Sequence, residues 1–495
     1  MLFQRMIPRR DMIACALCDD ASCTKACGKF DCARLLRAIW FDNEQGVPLP
    51  ENAPCAGCAA PCESACVFPG RVPIKALVTR LTAERKGEEP LKPTLASLRA
   101  NLCGIPLENP FLLSSSVVAS TYEMCARAFQ MGWAGAAFKT VCLMDIHEAS
   151  PRFSAIKGDS GAIMGFKNIE QLSDHTLPEN LHIFRKLKEN FPKKLLLVSI
   201  MGRDEAEWTY LAKAVTEAGA DALELNFSCP NMAEDGVGSD VGQIPELVER
   251  FTQAARRGSA LPILAKLTPN VASMRPMAPA ALRGGANGLA AINTIKSIVG
   301  VSAHTYVSQP SVRGYSSVGG YSGAAVKPIA LRFIEELAQT TAGAGAHLSG
   351  MGGVETWRDA LEFLLLGAGS IQITTAVMQY GYRIIDDLTS GLAAYLAEKN
   401  IESVDAIIGA GLDAVEETEN LDRDSLVYPT FDRTHCVGCG RCALSCRDGG
   451  HDAIRLNASR RPVLIPRHCV GCHLCVLVCP TSAIKSSGKR VPLKK

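Results

Sequence analysis

The cysteines of this chain limit what it can fold into more than any other feature. There are 21 of them, distributed very unevenly. Nine lie between Cys15 and Cys66 and eight between Cys436 and Cys479, with only Cys103, Cys125, Cys142 and Cys229 between the two groups. No apolar run reaches the ~18 residues that would span a bilayer. The start, MLFQRMIPRRDMIACALC, carries positive charge without an apolar segment of signal-peptide length. A cytoplasmic protein with no membrane span is therefore expected, and in a reducing compartment clustered thiols point to metal rather than disulfides. The two ends and the middle must do different work.

The carboxyl-terminal runs are CVGCGRCALSC (Cys436, Cys439, Cys442, Cys446) and CVGCHLCVLVCP (Cys469, Cys472, Cys475, Cys479). Both follow C-x2-C-x2-C-x3-C, the spacing of two-cluster bacterial ferredoxins, in which the fourth cysteine of each run serves the other cluster. That places Cys436, Cys439, Cys442 and Cys479 on one [4Fe-4S] cluster, and Cys469, Cys472, Cys475 and Cys446 on the other. Gly438 and Gly471 leave room for the clusters. Zinc needs only four thiols and does not explain eight in two identical registers. Arg447 stands where ferredoxins usually have proline, which alters the local turn but not ligation. The basic end, IKSSGKRVPLKK, reads as a solvated tail.

At the amino terminus, CALCDDASCTKAC (Cys15, Cys18, Cys23, Cys27) precedes the helical stretch DCARLLRAIWFDN. CAGCAAPCESAC (Cys55, Cys58, Cys62, Cys66) precedes VPIKALVTRLTAERK. The pattern is a duplication in which a cysteine segment is followed by an amphipathic helix. The second copy is one residue shorter between its middle cysteines, and Cys32 is either a substitute ligand or a packed thiol. The first copy resembles the amino-terminal iron–sulfur segment of dihydropyrimidine dehydrogenase and of the glutamate synthase small subunit. One or two further [4Fe-4S] clusters are expected, with a zinc-stabilised helical module as the alternative.

Between about Leu98 and Glu398, eight short apolar segments alternate with helical stretches such as EMCARAFQMG and EWTYLAKAVTEAGA. The segments are 111–118, 135–141, 195–200, 222–228, 263–268, 288–294, 346–353 and 370–377. This alternation predicts an α/β fold, a (β/α)8 TIM barrel. Polar or glycine residues finish nearly every segment, at the face where barrel enzymes carry their sites. GMGG (350–353) and TTAV (374–377) occupy the two positions that often hold a phosphate. Lys139 and Lys266 follow short apolar runs, where an unpaired ammonium is costly. A snorkelling lysine is the bland reading, and a partner such as an anionic reduced flavin is the sharp one.

The whole chain divides into a cysteine-rich helical segment (1–95), a barrel (96–400), a linker (401–430) and a ferredoxin-like domain (431–495). Its 495 residues exceed one ordinary core. Apolar residues at 47% against 21% charged give a globular balance. With 52 Lys+Arg against 50 Asp+Glu, the net +2 provides no field for nucleic acid or membrane.

NPFLLSSS, GWAGAAFKT, ASPRF, GFKNIEQ, LELNFSCPN, LAKLTPN, AAINTIKS, GGYSGAAVKPIALRFI and GMGGVETW together resemble the FMN barrel of dihydropyrimidine dehydrogenases. With the ferredoxin tail, the chain looks like the iron–sulfur/FMN subunit of the bacterial NAD-dependent form. The resemblance implies reversible reduction of uracil or thymine, with Cys229 giving or taking the proton at carbon 5. It implies Asn168, Asn226, Phe227, Ser228, Asn293 and Thr294 against the pyrimidine. It implies Ser115, Lys139, Thr140 and Lys266 near the FMN ring, and Gly323, Gly352, Gly353, Val354, Thr374 and Thr375 near its ribityl and phosphate. The loop MAEDGVGSDVGQ would carry and close Cys229, whose thiol pKa would be tuned toward neutrality. No G-x-G-x-x-G follows a strand and opens a helix, so NAD(H) is not expected to bind this chain. A separate flavoprotein subunit carrying FAD and NAD(H), in a hetero-oligomer, is the implied electron source. The alternatives are a dihydroorotate-dehydrogenase-like enzyme, which needs a cation for the orotate carboxylate, and an electron-transfer adaptor without catalysis.

Overall fold

The computed structural model describes residues 12–46, 55–85, 94–158, 163–232 and 236–493. Strands β1 (Phe111–Leu113), β2 (Gly135–Val141), β3 (Leu195–Ile200) and β4 (Ala222–Asn226) are followed by β5 (Ile263–Lys266), β6 (Gly288–Ala291), β7 (His347–Met351) and β8 (Ser370–Ile373). All run parallel in chain order and close into one barrel, β8 pairing with β1 through Ile371 opposite Phe111. Each expected segment supplies one strand. β2 and β3 are buried at every position, because a parallel strand covered on both faces has no solvent side to alternate with. The other strands stop short of their segments' polar ends, and TTAV opens the short helix Thr375–Tyr380 instead of finishing β8.

Helices α1 (Tyr122–Gln130), α2 (Leu177–Asn190), α3 (Glu205–Glu217), α4 (Pro245–Gly258), α5 (Met277–Arg283), α6 (Lys327–Thr340), α7 (Trp357–Leu365) and α8 (Ile384–Lys399) alternate with the strands. Side-chain caps fix several starts: Thr121 accepts from Met124 N–H, Asp204 accepts from Glu207 N–H, and Thr356 with Asp359 forms a capping box.

Two elements were not visible in the sequence. A hairpin, Ala100–Leu102 with Ile105–Leu107, turns on Cys103 and Gly104, both at positive φ. Its Ala100, Leu102 and Leu107 join Leu195, Ala222 and Leu264 in an apolar cluster at the amino-terminal ends of the strands. At the opposite end lies an antiparallel sheet of order Ile295–Ser297, Gly319–Ser322, Ile163–Asn168, Phe153–Lys157. Its central pairing sets Gly320 opposite Asn168.

Residues Met1–Leu412 form one compact unit and Asp413–Lys495 another. Within the first, each cysteine segment makes a short helix (Ser22–Cys27; Pro61–Ser64) followed by a longer one (Cys32–Trp40; Ile74–Glu84). Lys86, the last residue of the second helical stretch, lies outside the described residues. This module is fastened to the barrel. Arg37 pairs with the buried Asp387 of α8 at 2.6 Å, and Asn43 Nδ2 donates to the same carboxylate at 3.1 Å. The Trp357 indole N–H donates to Asp42 O at 2.7 Å, and Arg383 donates to the Leu17 and Cys18 carbonyls.

In the second unit, Ser425–Phe431 pairs antiparallel with Ile484–Pro492. From Ile484 to Pro492 the basic end is therefore an edge strand rather than a frayed tail; Lys494 and Lys495 lie outside the described residues. Its charged side chains, Lys485, Lys489 and Arg490, are exposed, while its backbone pairs with the partner strand. The strand Ser425–Phe431 also takes up the last residues of the expected linker.

Candidate active site

The polar strand ends converge on one cleft at the carboxyl-terminal mouth of the barrel, about 1130 Å³ with its open mouth included. Ser114, Ser115 and Ser116 enter after β1, Lys139 and Thr140 from β2, and Asn226 and Cys229 from β4 and its loop. Lys266 ends β5, and Asn293 and Thr294 follow β6. The inserted sheet contributes Asn168, with Gly323 just after it. Gly352, Gly353 and Val354 follow β7, and Thr374 and Thr375 follow β8.

Two residues expected at the substrate stand elsewhere. Asn226 points inward, so the next side chain is turned to the outside. Phe227 is fully buried there, its ring 5.2 Å from Trp208 of α3. Ser228 lies behind the wall, where its hydroxyl donates to Asn226 Oδ1 at 2.8 Å and accepts from Asn293 Nδ2 at 2.9 Å. It fixes two carboxamides rather than lining the cleft. Asn231, absent from the expected set, lines the cleft and donates to Asn168 Oδ1 at 3.1 Å and Glu170 O at 2.8 Å.

Neither lysine is an unpaired ammonium. Lys139 Nζ lies 3.5 Å from Glu148 and 3.6 Å from Glu170, and Arg152 also reaches Glu170 at 3.2 Å. Burial still pushes the Glu170 carboxyl above its usual range, against the pull of Lys139. Lys266 Nζ donates to Ser115 Oγ at 2.8 Å and lies 3.3 Å from Glu224 Oε1. Glu224 and Gln372, both missed in the sequence, interrupt the apolar runs ALELN and SIQI. A polar residue at an inward strand position was the available signal.

The Cys229 thiol is buried, and burial pushes its pKa up to about 11. The backbone at Asn231 pulls the other way, and Glu148 adds to the rise. The expected tuning toward neutrality is not seen, because burial outweighs the pull of Lys266 and Lys139 on the thiol. Residues 233–235 of its loop lie outside the described residues.

At the other end of the cleft, Gly353 (φ +82°) admits no side chain: an added Cβ would sit 2.8 Å from Lys327 N and 3.0 Å from Gly323 O. Beside this close backbone approach, Thr374 and Ser116 hydroxyls lie 2.9 Å apart, and Thr375 donates to Ser322 Oγ at 3.0 Å. Bare backbone next to hydroxyls is what a phosphate requires. The floor of buried hydroxyls and Lys266 suits the polar edge of a flavin ring. The residues present therefore fit an FMN.

A family profile described as dihydroorotate dehydrogenase matches residues 97–396, the whole barrel. The chain belongs to the dihydroorotate dehydrogenase family. Its members are oxidoreductases, and so is this chain. It is 50% identical over 364 residues to the NAD-dependent dihydropyrimidine dehydrogenase subunit PreA of Escherichia coli (strain K12), covering 74% of this chain and 89% of that one. It is 36% identical over 327 residues to the chloroplastic dihydropyrimidine dehydrogenase (NADP(+)) of Arabidopsis thaliana, 64% of this chain and 77% of the relative. With the dihydroorotate dehydrogenase B (NAD(+)) catalytic subunit of Pyrococcus abyssi (strain GE5 / Orsay), identity is 38% over 315 residues, 64% and 99%.

Beyond the dihydroorotate dehydrogenase barrel, residues 430–486 match a 4Fe-4S dicluster domain. Its cysteines ring two cavities, one lined by Cys436, Cys439, Cys442 and Cys479, the other by Cys446, Cys469, Cys472 and Cys475. The exchanged thiols accept backbone N–H groups, Ala453 N–H to Cys446 Sγ and Ala483 N–H to Cys479 Sγ, both at 3.3 Å. Residues before 97 lie outside both family matches. There the Cys15 thiol is within electrostatic reach of Cys18, Cys23 and Cys66. Cys55 reaches Cys58 and Cys27, Cys62 reaches Cys27, and Cys32 hydrogen-bonds Cys27. Among the described residues, no three His, Cys, Asp or Glu side chains gather tightly enough for a single metal ion, and no helix is long and apolar enough to cross a membrane.

Proposed function

We propose that this chain is the FMN- and iron–sulfur-bearing subunit of a dihydropyrimidine dehydrogenase, reversibly reducing uracil or thymine to the 5,6-dihydro base. The observation that carries this reading is a buried thiol, Cys229, on the wall of a cleft whose polar lining is mostly neutral. Asn168, Asn226, Asn293 and Thr294 offer donors and acceptors to a flat, uncharged ring. Their orientations are set from behind: Asn226 Nδ2 donates to Thr140 at 2.8 Å, and Ser228 holds both Asn226 and Asn293. A pyrimidine lacking these groups leaves buried amides unpaired, which is how such a site discriminates.

The FMN, when bound, supplies the hydride chemistry at carbon 6. Cys229 supplies the proton at carbon 5, and its raised pKa keeps it a thiol, the form a proton donor needs. Ser115, Lys266 and Thr140 would lie against the flavin ring, and Gly323, Gly353, Thr374 and Thr375 against the phosphate. Phe227 and Ser228 support these groups without touching the base.

Electrons reach the barrel through clusters. The two carboxyl-terminal cubanes take the cysteine sets that ring the two cavities. Two amino-terminal cubanes take Cys15, Cys18, Cys23 and Cys66, and Cys27, Cys55, Cys58 and Cys62, each segment lending its last cysteine to the other. Cys32 then stays a thiol beside Cys27. A flavoprotein subunit binding FAD and NAD(H) is the partner.

A dihydroorotate dehydrogenase is the second reading, favoured by the Pyrococcus relative's coverage. Against it, both lysines lining the cleft already face carboxylates, leaving neither for an orotate carboxylate. The test is anaerobic purification with iron, sulfide and flavin quantified, followed by turnover of uracil and orotate with an artificial electron carrier. About four cubanes and one FMN, with uracil preferred, support the proposal. Orotate preference sinks it, and turnover of neither substrate leaves an electron-transfer adaptor.

A further inference from the structure

We propose that Glu224 is a positioning residue that governs how much of the Lys266 charge a bound flavin feels, and so sets the flavin's reduction potential. This rests on the FMN reading above. Glu224 stands two residues before Asn226 on β4, so both point into the barrel. It is fully buried and does not line the cleft; it lies beneath it. Oε1 accepts from Ser115 Oγ at 2.6 Å and faces Lys266 Nζ at 3.3 Å. Oε2 accepts from Gln372 Nε2 at 3.1 Å, and that amide also reaches Ser349 Oγ at 3.1 Å. Side chains from β5, β7, β8 and the loop after β1 thus hold one carboxylate in place.

A buried acid is costly, and an apolar residue of similar volume would serve packing as well or better. The carboxylate has an electrical consequence that such a residue lacks. Lys266 is the cation on the cleft floor, and a positive charge there favours a reduced, anionic flavin. Glu224 at 3.3 Å cancels much of that field in a medium where charge interactions are strong. It also claims the Ser115 hydroxyl proton, so Ser115 presents lone pairs rather than a donor to Lys266. The outcome is a reduced flavin less stabilised by the protein, and therefore a better donor to a pyrimidine.

The test is a dye-equilibrated anaerobic titration of FMN in the full chain and in Glu224→Gln. The expected result is a potential raised by at least a tenfold change in the oxidised/reduced ratio, about 30 mV for a two-electron couple. Glu224→Asp keeps the charge but withdraws it from Lys266, and should shift the potential upward by a smaller amount. It also serves if the Gln variant does not accumulate. A purely structural role would lower FMN affinity or Tm and leave the potential of bound FMN alone. An unchanged or lowered potential in either flavin-bound variant overturns the inference. Wild-type protein that holds no flavin overturns the cofactor reading, and this one with it, before any variant is made.

Discussion

If this chain reduces pyrimidines as proposed, the pH dependence of that reaction bears directly on the buried thiol. Burial raises the Cys229 pKa from its usual 9.0 to about 11. Two units correspond to ~2.7 kcal/mol of preference for the neutral thiol. The proton-donating form is present below the folded pKa and is lost as pH rises through it. At pH 10 about 90% of a thiol of pKa 11 is protonated, against about 10% of one of pKa 9. Loss of the proton-donating thiol should therefore leave kcat/KM for uracil reduction untouched through pH 9 and show as a break only toward 11, apart from the ionisation of uracil's own N–H. Oxidation of dihydrouracil, which needs the thiolate, should climb tenfold per pH unit across the same range. Single-turnover reoxidation of chemically reduced protein by uracil, followed at the flavin absorbance, reads this without a partner subunit. Cys229→Ala should lose roughly 10²–10⁴-fold and abolish the break. A wild-type break near pH 8.5 that survives in Cys229→Ala would rule Cys229 out as the donor, because some other group would then be delivering the proton.

Three further outcomes are expected. Gly353→Ala places a Cβ 2.8 Å from Lys327 N at φ +82°, so FMN affinity should fall at least tenfold by fluorescence titration, with the ferredoxin-unit iron unchanged. Arg37→Leu removes the guanidinium from Asp387, which is only 3% exposed. A buried pair broken on one side costs roughly 3–5 kcal/mol, less what Asn43 retains, so the amino-terminal module should open to proteolysis, and adding Asp387→Asn should restore protection. Cys479→Ala should cost the cluster ringed by Cys436, Cys439 and Cys442, read as about four iron lost per chain. Loss of the other cluster, with Cys446→Ala doing the reverse, would sink the exchanged assignment.

How much the sequence revealed depended on how local the cause was. The runs GAAFKTV and LLLVSI are strands β2 and β3 end to end, because full burial on both faces leaves an unbroken apolar signature. The inserted sheet was invisible, since its strands are short and mostly half-exposed, and long-range pairing gives them order. The site's glycine and threonine loops were legible from their place after β7 and β8. The charge balance was not. Lys139 and Lys266 draw attention as lone cations only until β4 brings Glu224 under one, and the loops after β2 bring Glu148 and Glu170 beside the other. Phe227 and Ser228 share a motif with Asn226 and Cys229, but the pleat and the turn after it divide them between core, wall and cleft. The thiol's environment likewise follows from neighbours far away in the chain.

The clasp between the cysteine module and α8 has a practical corollary for anyone trimming this enzyme. Cutting away the first ninety or so residues would not yield a leaner catalyst. It would strip Arg37 and Asn43 from Asp387, leave Arg383 without the Leu17 and Cys18 carbonyls it grips, and bare Tyr380 where Trp40 and Phe41 now shelter it. Tyr380 closes the short helix that Thr375 opens beside the proposed phosphate cradle. A truncation meant to isolate the barrel would therefore disturb the far end of its own cleft.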